Sequence, residues 1–259
     1  MLRPRVIPCL LVHKGGLVKT VQFSEPKYVG DPINAVRIFN EKEVDELMVV
    51  DIDATVRNAE PDYEMIEHLA AECRMPLCYG GGIRTLAQIE KIIGLGVEKV
   101  SLSSVCIEYP DIVRQACASV GSQSVVAVLD VKQVAGGSYR VFTHNGTRAT
   151  DRDPVSLARD LEALGIGEII VNAIDADGRM NGYDLDLVRL MRPNVHTPMT
   201  ILGGAGSLDD MEAVIREHGA IGVAAGSLFV FKGIYRAVLI NYPMRSRKDE
   251  MFERAMAGQ

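Results

Sequence analysis

The chain has 259 residues, 47% of them hydrophobic, a net charge of −6, five histidines and five cysteines. This length suits one domain with a large core. The acidic balance argues against a nucleic-acid surface, and no apolar run approaches the roughly 20 residues of a membrane span. Cys9, Cys73, Cys78, Cys106 and Cys117 are odd in number and lack ligand spacing. With the scattered histidines they point to a reduced, cytoplasmic protein with no metal and no cofactor.

Taken in order, a first apolar strand over 5–12 is followed by a long loop to Gly30. Asp31-Pro32 then caps a helix running to about 44, with Pro at its first position. A strand at 47–53 and a helix at 62–73 come next, then a strand at 76–80 ending in Gly80-Gly81-Gly82. A helix over 85–95, a strand at 97–103 and a helix at 110–119 complete the first half. The strand at 124–130 leads into a hairpin around Gly136-Gly137-Ser138. Then follow a helix at 154–164, a strand at 168–174, a helix at 184–191, a strand at 198–202, a helix at 207–217 and a strand at 221–226. A short turn and a terminal helix close the chain. Val/Ile/Leu-rich strands separated by helices require a parallel sheet covered by helices, and eight such units predict an α/β fold, the closed (β/α)8 barrel.

The order of segments repeats. Glu46–Ala54 returns as Glu168–Ala176, and the Pro76–Gly82 run as Pro198–Gly204. Likewise Val100–Ser104 returns as Val223–Ser227, and Val6–Val12 as Val125–Val131. The offset of about 120 residues is too long for a solenoid. It predicts one domain over 1–259 made of two half-barrels, about 1–121 and 122–259. Opposite Asp130 in the repeat stands Leu11.

Chemistry in such barrels sits where the strands end. Two clusters there look like phosphate cradles: Gly82 with Ser103 and Ser104, and Gly204 with Gly226, Ser227, Asp177 and Gly178. Glycines let the backbone approach an anion, and helix-start amides donate to it. A symmetric pair suits a small ligand phosphorylated at both ends.

Along essentially its whole length the sequence resembles the cyclase subunit of imidazole glycerol phosphate synthase. The resemblance is carried by Cys9-Leu10, Val18-Lys19, Gly30-Asp31-Pro32, Asp51-Ile52, Gly80-Gly81-Gly82-Ile83, Gly121-Ser122-Gln123, Asp177-Gly178, Gly182-Tyr183-Asp184 and Gly203-Gly204-Ala205-Gly206. It implies a heterodimer with a glutaminase docked where the strands begin. Ammonia then crosses the barrel to an open-chain ribonucleotide held by two phosphates. It also implies an ammonia gate of Arg5, Glu46, Lys99 and Glu168, with Glu98 at the partner interface, and Asp130 with Lys19 as catalytic groups. Where the family has a second catalytic carboxylate, this chain has Leu11. Ser103-Ser104 replaces Asn-Thr, and Asn172 replaces Thr. A positioned acid or base is worth roughly 10²–10⁴-fold in rate. A kept gate beside a damaged site therefore resembles paralogues that relay ammonia to a separate ATP-dependent amidotransferase acting on a nucleotide-activated sugar in lipopolysaccharide synthesis. Two alternatives are a working cyclase-lyase of histidine biosynthesis, with Asp51 or His13 standing in, and a phosphosugar isomerase of the sister half-barrel family.

Overall fold

The computed structural model describes residues 3–257. The chain begins with β1 (Arg5–His13), β2 (Gly16–Val21), β3 (Ser24–Gly30), α1 (Pro32–Glu41), β4 (Leu47–Asp51), α2 (Tyr63–Glu72), β5 (Leu77–Gly80), α3 (Leu86–Gly94) and β6 (Lys99–Leu102). After α4 (Ser104–Glu108) and α5 (Pro110–Val120) come β7 (Val125–Gln133), β8 (Tyr139–Thr143), β9 (Arg148–Ala149), α6 (Pro154–Ala163) and β10 (Glu168–Ala173). The remainder is α7 (Leu185–Met191), β11 (Met199–Leu202), α8 (Leu208–His218), β12 (Gly222–Ala225), α9 (Ser227–Val230), β13 (Phe231–Lys232), β14 (Ala237–Val238) and α10 (Arg245–Met256).

Eight strands pair in parallel in the order β10-β11-β12-β1-β4-β5-β6-β7, and β7 pairs back to β10. The sheet is therefore a closed (β/α)8 barrel. The repeated segments occupy corresponding strands: β1 and β7, β4 and β10, β5 and β11, β6 and β12. Helix starts follow local chemistry. Asp31 accepts from the Asn34 amide ahead of Pro32, and Thr85 and Ser207 form capping boxes with Gln88 and Asp210. Each cap satisfies amides that have no partner within the helix.

Alternation along the strands divides the core in two. Val6, Leu10, Val12 and Val49 pack outward beneath the helices. Ile7, Cys9, Met48, Cys78, Val126, Ile170, Leu202 and Ala224 pack inside the barrel, with Leu11, Val50 and Val128 above them. At roughly 1.5–3 kcal/mol for each large apolar side chain removed from water, these two layers hold the fold together.

Three sequence expectations are corrected. The stretch after the first strand is no loop but the antiparallel hairpin β2–β3, which continues β1 through Leu11–Val18 and His13–Gly16 pairing. Ser24 to Tyr28 are all exposed and Val29 alone is buried, so β3 lacks the hydrophobic signature of a strand. A left-handed pair, Lys14 and Gly15, makes the turn. The first helix also stops at Glu41 rather than 44, where the Lys42 amide closes onto Phe39 and Asn40 carbonyls. A short hairpin, β13–β14, precedes the terminal helix.

Glycines fix the loops after β5 and β11. Gly204 has φ +112°, and a Cβ there would lie 2.1 Å from the Gly182 carbonyl oxygen. Gly137 also has positive φ, +80°, but a Cβ there meets only the end of Gln133, at 4.0 Å. Gly204→Ala should therefore cost roughly 2–4 kcal/mol in urea unfolding and Gly137→Ala about 1 kcal/mol. Equal costs would refute this account of the loop.

Candidate functional site

Lumen-facing side chains stack in layers from the strand starts to the strand ends. In the lowest layer β1 contributes Arg5, β6 contributes Lys99 and β10 contributes Glu168, while Glu46 immediately precedes β4. Arg5 pairs with Glu46, and its Nη2 donates to Glu168 Oε1 at 2.7 Å. Lys99 Nζ lies 2.9 Å from Glu46 Oε1 and 2.9 Å from Glu168 Oε2. Thr200 adds its hydroxyl to Glu168 at 2.6 Å. The four charges expected as a gate thus form one closed ring of alternating sign. Burial disfavours the charge on Arg5 and on Lys99, but the two glutamates outweigh it and push both pKa values up. Burial also raises Glu168, and Arg5, Lys99 and Thr200 overcome it and hold its carboxyl below the usual range. Glu98 is exposed beside the ring, with its carboxylate accepting from the Leu77 amide at 2.7 Å.

Above the apolar layer lies a cavity of about 220 Å³ at the strand ends. Asp130 reaches it from β7, Asn172 from β10 and Ser103 from the end of β6. Asn172 Nδ2 donates to Asp130 Oδ1 at 2.9 Å and Ser103 Oγ to Oδ2 at 3.2 Å. Burial pushes the Asp130 carboxyl up, the two hydrogen bonds pull it partly back, and the field of Asp177 adds to the rise, leaving it at about 6. Such a value suits a group that gains and loses a proton near neutral pH. Leu11 lines the opposite wall beside Val50, its partner across β1 and β4.

Of the residues considered as stand-ins for the missing carboxylate, Asp51 lines this cavity, and burial raises its pKa against two backbone hydrogen bonds. Asp51 Oδ1 closes a turn by accepting from the Asp53 and Ala54 amides at 2.8 and 3.1 Å. His13 Nδ1 is held by Asp53 Oδ1 at 2.7 Å. The first cradle, Gly82, Ser103 and Ser104, opens into the same cavity as Asp130. Asp177, Gly178, Gly204, Gly226 and Ser227 line a separate, smaller pocket. Lys19 belongs with this second group. Its buried ammonium donates to the Cys9 carbonyl, and its Nζ lies 2.6 Å from where a Gly226 Cβ would be. Burial lowers the Lys19 pKa, against the fields of Cys9 and Asp177. The Asp177 carboxylate accepts from Thr20 at 2.9 Å, which ties β2 to this cradle. Sequence reasoning singled out Ser103 as a phosphate ligand and Asn172 as a departure. It missed that both are donors to Asp130, although all three lie at the ends of adjacent strands.

A family profile described as histidine biosynthesis protein matches residues 5–235. Three relatives are each provisionally named an imidazole glycerol phosphate synthase subunit. One from Vibrio vulnificus is 55% identical over 254 residues, 98% of this chain and 98% of its own. One from Leptospira interrogans is 53% identical over 253 residues, 97% of this chain and 100% of its own. One from Pseudomonas aeruginosa is 53% identical over 249 residues, 96% of this chain and 99% of its own. The chain belongs to the histidine biosynthesis protein family.

The ring gives two expectations for stability. Lys99→Met leaves two buried carboxylates with one cation, and should cost about 3 kcal/mol in denaturant unfolding with the barrel still folded. Because Glu168 has a depressed folded pKa, its contribution is present above the ordinary value of 4.5 and is lost as pH falls through the folded value. Glu168→Gln should flatten that acid limb of the stability curve; an unchanged limb would show that the ring does not govern it.

Proposed function

On the strength of that family membership we propose that this chain is an ammonia-fed synthase barrel of the imidazole glycerol phosphate synthase kind, with Asp130 as its acid-base group. One observation carries the reading: a closed charge ring at the strand starts and a carboxylate near pKa 6 at the strand ends, joined by an apolar lumen. The names of the relatives favour this over relay to a nucleotide sugar, which rests on resemblance alone. The ring face with Glu98 would take a glutaminase, giving a heterodimer. The two glycine cradles would hold the phosphates of an open-chain ribonucleotide.

Chemistry follows from the geometry. Ammonia attacking a carbonyl carbon must shed a proton, and an aspartate held by two donors at the lumen exit can accept it. Ser103 and Asn172 fix the orientation of that carboxylate. With Leu11 opposite, the only other aspartate lining the cavity among the described residues is Asp51, whose Oδ1 is held by two backbone amides, so proton donation to a leaving group is the weak step. Leu11 favours a second reading in which the barrel conducts ammonia and stimulates a glutaminase without closing the ring itself.

Turnover of the open-chain ribonucleotide with free ammonium salts, which bypasses any partner, separates the two. The synthase reading expects slow turnover that Asp130→Asn abolishes and that Leu11→Asp raises by roughly 10²–10⁴-fold. It also expects complementation, at least by Leu11→Asp, of a histidine auxotroph lacking its cyclase. If neither form turns over, yet the chain binds and stimulates a glutaminase, the conduit reading stands instead.

A further inference from the structure

The two halves of the barrel close their strand starts differently. Between β7 and β10 the ladder begins at Glu168 itself, paired with Val126, and the Gly167 amide donates to the Val125 carbonyl at 3.2 Å. A Cβ on Gly167 would lie 2.0 Å from the Ser122 carbonyl oxygen, so glycine permits this closure. By the internal repeat, Asp45 stands for Gly167 and Val6 for Val125. Here the ladder between β1 and β4 begins only at Cys9 and Met48, and Pro8, which has no amide to give, lies in the gap. The gap is bridged from the C-terminal segment. Tyr242 donates its hydroxyl to the Val6 carbonyl at 2.9 Å and accepts from the Asp45 amide at 3.4 Å. It thus stands between the two backbone groups whose counterparts meet directly in the other half. The Asp45 carboxylate accepts from the Val6 amide at 2.9 Å with one oxygen and pairs with Lys248 through the other. The Lys248 ammonium also donates to the Tyr242 hydroxyl at 3.4 Å. Lys248 and Tyr242 are 4% and 9% exposed, and both lie beyond residue 235, where the match to the family profile ends. Apolar side chains would seal such a gap without the cost of a buried ion pair, so the polar choice points to placement rather than to stability.

We propose that Asp45, Tyr242 and Lys248 are positioning residues for the charge ring, a clamp through which the C-terminal segment sets Arg5 against Glu46. The inference rests on the ammonia-fed reading for what the ring does, and on geometry alone for what holds it. Val6 follows Arg5 and Asp45 precedes Glu46, so one hydroxyl and one carboxylate fix the backbone at the roots of both. On its other side β4 is held by the Leu47 amide, which donates to the Pro76 carbonyl at 2.9 Å. That leaves the side of Glu46 towards β1 to the clamp. Arg5 pairs with both Glu46 and Glu168, so a shift at its root is passed to the rest of the ring. Glu168 needs no such clamp, because its own ladder starts with it. Tyr242 packs outside the barrel with the helices, its ring 5.3 Å from that of Phe229 between centroids. The C-terminal segment on this view tunes the ring from behind the strands.

The test uses the whole chain carrying Tyr242→Phe, which keeps the aromatic ring and removes the bridge. Its readouts are the titration of the Glu168 carboxyl carbon by NMR and unfolding in denaturant. The expected result is a Glu168 pKa shifted up from its depressed value towards the ordinary 4.5, because Arg5 is no longer held against it. Met251→Ala, at an apolar residue buried on the same helix as Lys248, should lower stability and leave that pKa in place. Lys248→Met is the second variant. Water can reach Asp45, whose side chain is 24% exposed, so this chain should still fold and should shift Glu168 in the same direction. An unmoved Glu168 in both variants, or an equal shift in Met251→Ala, would overturn the proposal. In a complex with a glutaminase, Tyr242→Phe should let a larger share of the ammonia from glutamine escape to solution before it reaches product. A shifted Glu168 in a chain that no glutaminase binds upholds the clamp and removes the partner reading. Coupled turnover with unchanged escape and an unmoved Glu168 does the reverse.

Discussion

Barrel closure is the constraint on which everything else depends. Once β7 pairs with β10, every second residue of eight strands has one small lumen to share. Charges admitted there must be matched, because water is scarce and the dielectric is low. At the strand starts the match is a ring of two cations and two anions in which each charge has two opposite neighbours. In the middle the lumen is apolar but for the buried hydroxyl of Ser101. At the strand ends Asp130 is balanced by two neutral donors and by partial protonation.

The same constraint explains why Leu11 changes the upper site without disturbing the barrel. It continues the lumen-facing series Arg5, Ile7, Cys9 and packs on Val50. A carboxylate there would face Asp130 across the lumen and add a second charge to be solvated. Leucine makes no such demand. The site that results sets Asp130 and its two oriented donors, Ser103 and Asn172, across the lumen from an apolar wall of Leu11 and Val50.

Much of this was legible in the sequence because periodicity and repeat act over many residues. The eight strands and their order follow from Val/Ile runs, whereas the set Arg5, Glu46, Lys99 and Glu168 was singled out by the family resemblance. What stayed hidden depended on contacts between distant segments. β3 is polar and exposed, so only its pairing with β2 makes it a strand. Lys19 reads as a catalytic neighbour of Asp130 in the sequence, yet the hairpin carries it to the Gly226 cradle. The donors Ser103 and Asn172 are separated by 69 positions, and only adjacency of β6, β7 and β10 brings them to one carboxylate.

The close approach of Lys19 to Gly226 has a consequence for descent. A side chain at 226 would need the space within 2.6 Å of the lysine ammonium. A side chain at 226 therefore requires the Lys19 ammonium to shift from its place beside the Cys9 carbonyl. Two sites at opposite ends of the gene are thus coupled, so that a change at 226 is felt by the lysine of the hairpin.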